Sequence, residues 1–302
     1  MRLCRFDEGR LGLVEDGDVR DVTAALDLLP DYRYPLPCED VLVANLDRVR
    51  ARARALAADA PLVSLDRVRL LSPVANPGKI VAAPVNYHKH LEEVRSDPAL
   101  HHHTTGHTLT IHNAGLFLKA TSSLAGPGEG VTLRRLDRRT DHEVELVVVI
   151  GRTANRVSKA EAMQYVAGYT IGLDISLRGS EDRSFRKSSE SYSVVGPWLV
   201  TPDEIENPGS LDLRLSVNGE TRQQSNTRYL ILGVAELIEL ASSFYTLHPG
   251  DIIFTGTPEG VSPLVPGDTV VATIERIGTM TVKVRAPEAA AVAALTAEST
   301  AS

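Results

Sequence analysis

The chain has 302 residues, 43% of them hydrophobic, which is enough to bury the core of one large domain or of a large and a small domain. The formal net charge of -7 argues against a basic surface that binds nucleic acid or an anionic membrane. The sequence contains no run of about 18 apolar residues, so no membrane-spanning helix is predicted. The two cysteines, Cys4 and Cys38, exclude a disulfide framework and a cysteine-rich metal site, so we expect a cytoplasmic protein that binds a small molecule.

Residues 1–72 predict a small N-terminal α/β domain. Short alternating stretches surround Glu15-Asp-Gly-Asp18, which is a hairpin-type turn. A helix is predicted from Cys38 to Ala58, where apolar residues recur at helical spacing. Pro73 and Asn76-Pro-Gly78 mark the boundary with the next domain. We interpret this first unit as packing support without chemistry of its own.

The second predicted domain, residues 73–286, begins with a histidine and a glutamate at helical spacing. An apolar strand from Lys79 runs to the polar Asn86-Tyr-His88, and His90 and Glu93 follow on a predicted helical turn. Residues three apart share a helix face, and a carboxylate beside a histidine fixes its tautomer and raises its basicity. The pair is therefore a candidate general base. A solvated surface pair is the alternative when the two residues are considered alone.

From Val94 to Asn113 the pattern gives way to a polar stretch that Pro98 and Gly106 interrupt. A loop of this length predicts a mobile active-site lid. Its histidines, at 101–103 and 107, are interpreted as solvated, because neighbours along a loop rarely converge on one metal ion.

The most informative stretch is the acidic start of a strand, Asp141-His-Glu-Val-Glu-Leu-Val-Val-Val-Ile-Gly151. Side chains alternate across a strand, so Glu143 and Glu145 leave the same face. Like charges repel, and burying them without a partner is costly, so we expect a cation between them. Carboxylate oxygens favour Mg²⁺, Mn²⁺ or Ca²⁺ over Zn²⁺. A solvated edge strand is the alternative for a Glu-x-Glu pair taken alone.

Two further stretches place polar groups beside apolar strands. Asp174 interrupts the strand Gly168–Ile175, where a lone carboxylate is costly unless it is paired or binds metal, so it is the third candidate ligand. The strand from Ile252 ends in a glycine-rich loop, in which Thr255 and Thr257 can offer hydroxyls and backbone N–H groups to a substrate carboxylate.

Local signals predict the remaining elements. Ser158-Lys-Ala-Glu161 has the spacing of a capping box and predicts a helix start, and a further helix is expected from Val234 to Tyr245. Asn218-Gly219 predicts a type I′ turn between two strands. The alanine-rich residues 287–302 predict a flexible tail.

Several motifs, in order over residues 75 to 285, together resemble the fumarylacetoacetate hydrolase (FAH) family. No single motif would suffice, and the resemblance is specific because so many occur in sequence. They are Asn86-Tyr-x-x-His90-x-x-Glu93, Phe117-x-Lys119, Glu143-Val-Glu145, Gly168-Tyr-Thr-x-x-x-Asp174, Lys187-Ser188, Gly196-Pro197, Val217-Asn-Gly219 and Pro249-Gly-Asp-x-Ile-x-Thr-Gly-Thr-Pro258.

The resemblance implies an α+β fold, with a mixed β-roll catalytic domain behind the small N-terminal domain, and a homodimer. It implies Mg²⁺ or Mn²⁺, with Ca²⁺ as a substitute in crystals, held by the residues that match the family's ligands, Glu143, Glu145 and Asp174. His90 and Glu93 match its catalytic dyad on a lid, and Lys187 matches a catalytic lysine that contacts substrate. Further substrate contacts are expected from Asn86, Tyr87, Lys119, Arg178, Thr255, Gly256 and Thr257.

The chain departs from the family pattern after the third ligand. Where the family usually has Ser-Ala-Arg-Asp-x-Gln, Gly179 replaces the aspartate and Glu181 replaces the glutamine. Arg186 stands where glycine commonly precedes the lysine, and Phe185 where tryptophan is usual. These departures bear on the substrate more than on the metal.

The chemistry implied is metal-dependent hydrolysis of a carbon–carbon bond in an acylpyruvate or related 1,3-dicarbonyl compound, through an enolate that the metal stabilises. His90, oriented by Glu93, would activate the water, and Lys187 would offset charge on oxygen. The same site without an attacking water gives decarboxylation of a 2-oxo acid such as oxaloacetate, or keto–enol isomerisation in aromatic catabolism. A metal-stabilised binding protein is a third, more distant alternative.

Overall fold

The structure is a computed structural model that describes residues 1–97, 100 and 110–287. Its strands are β1 (Arg2–Phe6), β2 (Arg10–Glu15), β3 (Asp18–Asp21), β4 (Leu62–Ser64), β5 (Leu70–Leu71), β6 (Ile80–Ala82), β7 (Phe117–Lys119), β8 (Leu124–Ala125), β9 (Val131–Thr132), β10 (Thr140–Asp141), β11 (Val144–Ile150), β12 (Val166–Asp174), β13 (Ser176–Leu177), β14 (Ser193–Val200), β15 (Asp212–Val217), β16 (Glu220–Asn226), β17 (Ile252–Phe254), β18 (Thr269–Ile274) and β19 (Gly278–Arg285). Its α-helices are α1 (Val41–Ala44), α2 (Leu46–Ala57), α3 (His88–Ser96), α4 (Ile111–Ala114), α5 (Arg183–Arg186) and α6 (Val234–Phe244).

One large mixed sheet organises the chain. Its strand order is β4-β3-β2-β1-β14-β12-β11-β17-β6-β7, with β5 on β1 and β8 on β14. A second sheet has the order β16-β15-β18-β19-β9, and β10 pairs with β13. Short helices cover these sheets, so the α+β expectation is confirmed. Within the described residues, no helix has the length and apolarity needed to cross a bilayer.

The N-terminal strands continue the large sheet. Leu3 on β1 pairs with Leu199 on β14, so residues 1–72 share a sheet with the rest of the chain. The division into domains at 1–72 and 73–286 stays a prediction. Most of the predicted tail lies outside the described residues.

The antiparallel pair β11–β12 forms the buried centre of the fold. Val144 pairs with Leu173 and Glu145 with Gly172, which brings the acidic start of β11 beside the end of β12 at Asp174. Val144 and the alternate residues after it face one apolar cluster, while Val147 and Val149 face a second cluster that includes residues of β1 and β2. Because β11 is covered on both faces, Glu145 on the strand and Glu143 just before it are buried as well.

Two predicted turns are confirmed by their backbone angles. Asn218 and Gly219 have φ values of 51° and 85°, and Asp16 and Gly17 have values of 47° and 90°. Positive φ at both central residues is what a type I′ hairpin turn requires. The helix expected at 234–245 is also present, as α6.

Two predicted helices differ in the structure. The helix expected from Cys38 to Ala58 begins at Val41 and divides at Asn45, whose side-chain amide donates to the carbonyl of Val41. Asparagine side chains compete in this way with helical hydrogen bonds.

The helix expected after Ser158 is wrong, because only a 3₁₀ turn forms at Ala162–Tyr165. The hydroxyl of Ser158 donates to the Glu161 carboxylate at 2.7 Å. The two side chains bond to each other, so their spacing alone did not start an α-helix.

The central pair should dominate stability. Ile171 on β12 is completely buried, so Ile171→Ala leaves a cavity, and we expect the free energy of unfolding to fall by about 2–5 kcal/mol in urea denaturation. The matched control is Leu136→Ala, because that side chain is 56% exposed and should change stability by less than about 0.5 kcal/mol. Equal effects of the two substitutions would contradict the assigned core.

Candidate metal centre and active-site cleft

Three buried carboxylates converge at the junction of β11 and β12. Glu143, Glu145 and Asp174 each offer an oxygen, and the three oxygens lie within 4.8 Å of one another. The three residues are at most 4% exposed. The backbone N–H of Asp174 donates to the carbonyl of Glu143 at 2.9 Å, which fixes the two strand ends side by side. The structure therefore brings together the three side chains that the sequence predicted as ligands.

Cationic side chains surround this acidic triad. The ammonium of Lys187 donates to Glu143 at 2.7 Å and to Asp174 at 2.6 Å, so it bridges two members. Lys119 donates to the other oxygen of Asp174 and to the carbonyl of Tyr192. Both lysines are buried, because the carboxylates whose negative charge they offset are buried too.

Arg178 connects the triad to a further carboxylate. It donates to Glu143 at 2.9 Å and to Asp141 at 2.8 Å. Asp141 also accepts from Arg139 at 2.8 Å. Arg178 is thus held by Glu143 on one side and by Asp141 on the other. Lys119 and Arg178, which the sequence predicted to contact substrate, both donate hydrogen bonds to triad carboxylates.

The electrostatics of the triad are unequal. Burial raises the pKa of Glu145 well above its usual value, and the negative charges of Asp174 and Glu143 raise it further. Burial also acts to raise the pKa of Glu143, but the charges of Lys187 and Arg178 outweigh it and hold that pKa well below the usual range. Glu145 is the member short of positive charge, and a divalent cation at the triad would supply it. An all-oxygen donor set of this kind fits Mg²⁺ or Mn²⁺.

The predicted dyad forms on helix α3. Nδ1 of His90 lies 2.8 Å from one carboxylate oxygen of Glu93, and the other oxygen accepts from the backbone N–H of Gly260 at 3.0 Å. Because an ionised carboxylate only accepts, Nδ1 carries the proton and Nε2 is the basic nitrogen. Val94 of this helix packs with Val261 in a small apolar cluster. The histidines at 101–103 and 107 lie outside the described residues.

Asn86 holds the chain that leads into this helix. Its amide donates to the carbonyls of Leu232 and Thr255, and its side-chain oxygen accepts from the N–H of Leu232. Val85, just before it, has a φ of 44°, which is strained for a β-branched residue. Strain of this kind persists where surrounding contacts enforce it. The described contacts of Asn86 are thus with backbone, while Tyr87 is buried with a hydroxyl that has no partner among the described residues.

The loop at 255–260 supports both the triad and the dyad. The N–H of Gly256 donates to Glu145 at 2.6 Å, and Gly260 donates to Glu93. The hydroxyl of Thr255 donates to the carbonyl of Leu146, whereas Thr257 lines the cleft. Of the three loop residues predicted to contact substrate, Thr257 is the one that faces the open space.

Sequence reasoning missed Gln223, which anchors this loop from the second sheet. Its amide donates to Thr257 and to the carbonyl of Pro258, both at 2.9 Å. Its oxygen accepts from the N–H of Val144 and contacts His142, each at 3.1 Å. A buried glutamine with both ends bonded fixes the start of β11 relative to the loop. In the structure, burial distinguishes Gln223 from its polar neighbours on the strand. In the sequence, a single polar residue on an alternating strand does not reveal that it is buried.

Three of the four departures from the family pattern, Gly179, Glu181 and Arg186, form one local arrangement, whereas Phe185 is exposed. Glu181 makes a two-point ion pair with Arg138, with both distances 2.8 Å. A Cβ on Gly179 would lie 1.8 Å from the Arg138 guanidinium, so any larger residue there would displace it. Arg186 donates to the carbonyls of Glu181 and Leu177 at 2.8 and 2.7 Å. The changed residues therefore support one another in shaping the segment between Arg178 and Lys187.

These elements enclose a cleft of about 280 Å³. Its lining joins two triad members, Glu143 and Glu145, with His90 and Lys187. The rest of the lining is Ala83, Pro84, Val85, Val94, Leu100, Phe117, Arg178, Ser180, Glu181, Asp182, Arg183, Arg186 and Thr257. The candidate base, the lysine and the metal ligands thus share one space open to a small molecule.

A carboxylate triad beside a histidine–glutamate dyad defines an enzyme site that can hold a divalent metal. The profile of the family described as fumarylacetoacetate (FAA) hydrolase C-terminal matches residues 79–285. The chain belongs to this family, and it is a hydrolase.

Three relatives place it within the family. The chain is 60% identical to maleylpyruvate hydrolase from Aquipseudomonas alcaligenes over 94% of its own length and 99% of the relative. The crystal structure of maleylpyruvate hydrolase from Sphingobium sp. SYK-6, in complex with manganese(II) and pyruvate, is 38% identical, with a TM-score of 0.81 over 95% of this chain and 100% of that one. A 4-hydroxyphenylacetate degradation bifunctional isomerase/decarboxylase from Salmonella dublin is 36% identical over 81% of this chain and 56% of the relative.

The triad should control metal affinity. Glu145→Gln keeps the shape of the side chain but removes its charge, so we expect Mn²⁺ to bind at least about 10-fold more weakly by isothermal titration calorimetry. Glu220→Gln is the control, because Glu220 is exposed and lies outside the cleft. Wild-type affinity in Glu145→Gln would show that the ion binds elsewhere.

Removal of the Gln223 anchor should weaken both fold and site. Gln223→Met leaves buried polar partners unsatisfied, so we expect about 1–3 kcal/mol less stability and a lower kcat. The exposed neighbour Gln224→Met is the matched control for both measurements. If chemical denaturation and kinetics do not distinguish the two variants, the anchoring role is wrong.

Proposed function

We propose that this hydrolase cleaves the carbon–carbon bond between the acyl group and the pyruvyl methylene of an acylpyruvate, with maleylpyruvate as the first substrate to test. The observation that carries the proposal is that Glu143 and Glu145 of the triad, Lys187, and His90 of the dyad line one cleft, with Asp174 and Glu93 bonded directly behind them. The maleylpyruvate hydrolase relatives, one of them with manganese and pyruvate bound, support this substrate class.

The residues of the chain divide the reaction between them. Nε2 of His90 takes a proton from water, whose oxygen bonds to the acyl carbonyl carbon. The carbon–carbon bond breaks, its electron pair leaves on the pyruvyl half, and a proton then converts that half to pyruvate. Glu93 keeps the imidazole in the required tautomer and offsets its positive charge. Lys187 lies where it can offset negative charge on substrate oxygen.

We propose Mg²⁺ or Mn²⁺ as the ion, with Ca²⁺ as a substitute. Glu143, Glu145 and Asp174 would hold it. When bound, such an ion supplies Lewis-acid stabilisation of charge on the oxygens of the pyruvyl half. We also propose, from the family resemblance, that the chain works as a homodimer in the cytoplasm.

Decarboxylation or keto–enol isomerisation is the second candidate. The isomerase/decarboxylase relative supports it, because those reactions also place negative charge next to a 2-oxo acid. Hydrolysis is favoured by the dyad, since it alone requires a base that activates water. Product analysis separates the two: pyruvate with maleate indicates hydrolysis, and carbon dioxide indicates decarboxylation.

The dyad gives the direct test. With maleylpyruvate and Mn²⁺, we expect His90→Ala to lower kcat by about 10²–10⁴-fold, because general-base assistance is lost, while Mn²⁺ still binds. His88→Ala is the matched control, because that histidine is exposed on the same helix and does not line the cleft. A wild-type rate in His90→Ala would remove the histidine from the reaction. Full activity of wild-type enzyme in excess EDTA would contradict the metal requirement.

A further inference from the structure

The cationic side chains that line the cleft differ in whether they have an ion-pair partner or a hydrogen-bond acceptor. Lys187 and Arg178 are paired with triad carboxylates. Arg186 is committed to the backbone carbonyls of Glu181 and Leu177. Arg183 is different: among the described residues, its guanidinium has no carboxylate within 4.0 Å and no hydrogen-bond acceptor.

The acidic residues nearest to Arg183 in sequence are occupied by other groups. Glu181 forms its two-point ion pair with Arg138. Asp182 caps α5, where its side chain accepts from the N–H of Ser184 at 2.8 Å. Arg183 is therefore left facing the cleft as a half-buried cation, and burial lowers the pKa of its guanidinium below the usual value.

The ring of Phe117 relates the position of Arg183 to that of Lys187. The guanidinium carbon of Arg183 and the ammonium of Lys187 each lie 5.6 Å from the centre of the Phe117 ring. The two cationic groups are thus at most twice that distance apart. The N–H of Lys187 also donates to the carbonyl of Arg183 at 3.1 Å, so one turn of α5 carries both. Lys187 contacts the triad, whereas Arg183 lines the same cleft without an ion pair to it.

We propose that Arg183 binds a carboxylate at the far end of the acyl group and so selects acylpyruvates that are diacids. This inference rests on the proposed function, because it assumes that the pyruvyl half lies at the triad. A guanidinium matches a carboxylate with two parallel hydrogen bonds, and the face of Phe117 holds its plane in place. Leu100, Val94 and Phe117 line the cleft with apolar groups, which suit the carbon chain between the two charged ends.

A stacking role alone is the competing explanation. Arg183 over Phe117 could simply hold α5 in place, since a cation over an aromatic ring is itself favourable. That role would affect every acylpyruvate equally, whereas carboxylate binding affects only those with a charged end. The two explanations therefore differ in the ratio of two specificity constants.

The experiment compares maleylpyruvate, which ends in a carboxylate, with acetylpyruvate, which ends in a methyl group. We expect Arg183→Ala to lower the ratio of kcat/KM for maleylpyruvate over acetylpyruvate by about 10- to 100-fold, the loss typical of a hydrogen bond to a charged group. Arg183→Lys keeps the charge without the two-point geometry and should give an intermediate ratio. Arg67→Ala, an exposed arginine outside the cleft, should keep the wild-type ratio.

Inhibition by the two products gives the same comparison without turnover of the neutral substrate. We expect the Ki of maleate to rise about 10- to 100-fold in Arg183→Ala and the Ki of pyruvate to rise much less. If Arg183→Ala leaves both the substrate ratio and the Ki of maleate unchanged, the carboxylate-binding role of Arg183 is overturned, while the proposed function stands. An equal loss of kcat/KM for both substrates would favour the stacking explanation and would also overturn the carboxylate-binding role of Arg183. Failure of the wild-type enzyme to cleave either acylpyruvate would overturn the proposed function, and this inference with it.

Discussion

The site depends on the burial of several carboxylates at one point, where β11 and β12 end together. Such a group is stable only if positive charge surrounds it. Here Glu143 and Asp174 share Lys187, Asp174 also binds Lys119, and Arg178 joins Glu143 to Asp141. Except for the contact of Lys187 with Asp174, which joins residues 13 apart, each contact joins residues at least 35 positions apart along the chain. The balance of charge therefore holds this end of the sheet together.

Glu145 is the exception that makes the site receptive to a metal. Glu143 and Asp174 are bound by lysines, whereas the contact recorded for Glu145 is the backbone N–H of Gly256. A peptide dipole offsets less charge than an ammonium does, so burial and the charges of Asp174 and Glu143 keep the pKa of Glu145 raised. A divalent ion would offset these charges and leave excess positive charge in the cleft. Anionic acids are the molecules that such a cleft attracts.

Much of this arrangement could be predicted from sequence, for identifiable reasons. The alternation of a strand placed Glu143 and Glu145 on one face, and helical spacing joined His90 to Glu93. Both patterns are local, so no knowledge of the fold was needed. Asp174 was predicted because a charge inside an apolar strand is costly. Gln223 could not be found in this way, since its partners lie on other strands and loops and nothing in its neighbourhood reveals them. The capping-box helix failed because two side chains bonded to each other.

The loop at 255–260 contacts one residue of the acidic triad and one residue of the histidine–glutamate dyad. Through Gly256 it holds Glu145, and through Gly260 it holds Glu93, with Gln223 fastening it from the opposite sheet. A displacement of helix α3 would therefore shift the loop that bonds to Glu145. A displacement of Glu145 would in turn shift the loop that bonds to Glu93 on the helix. Helix α3 and Glu145 are thus positioned by one short segment of the chain rather than independently.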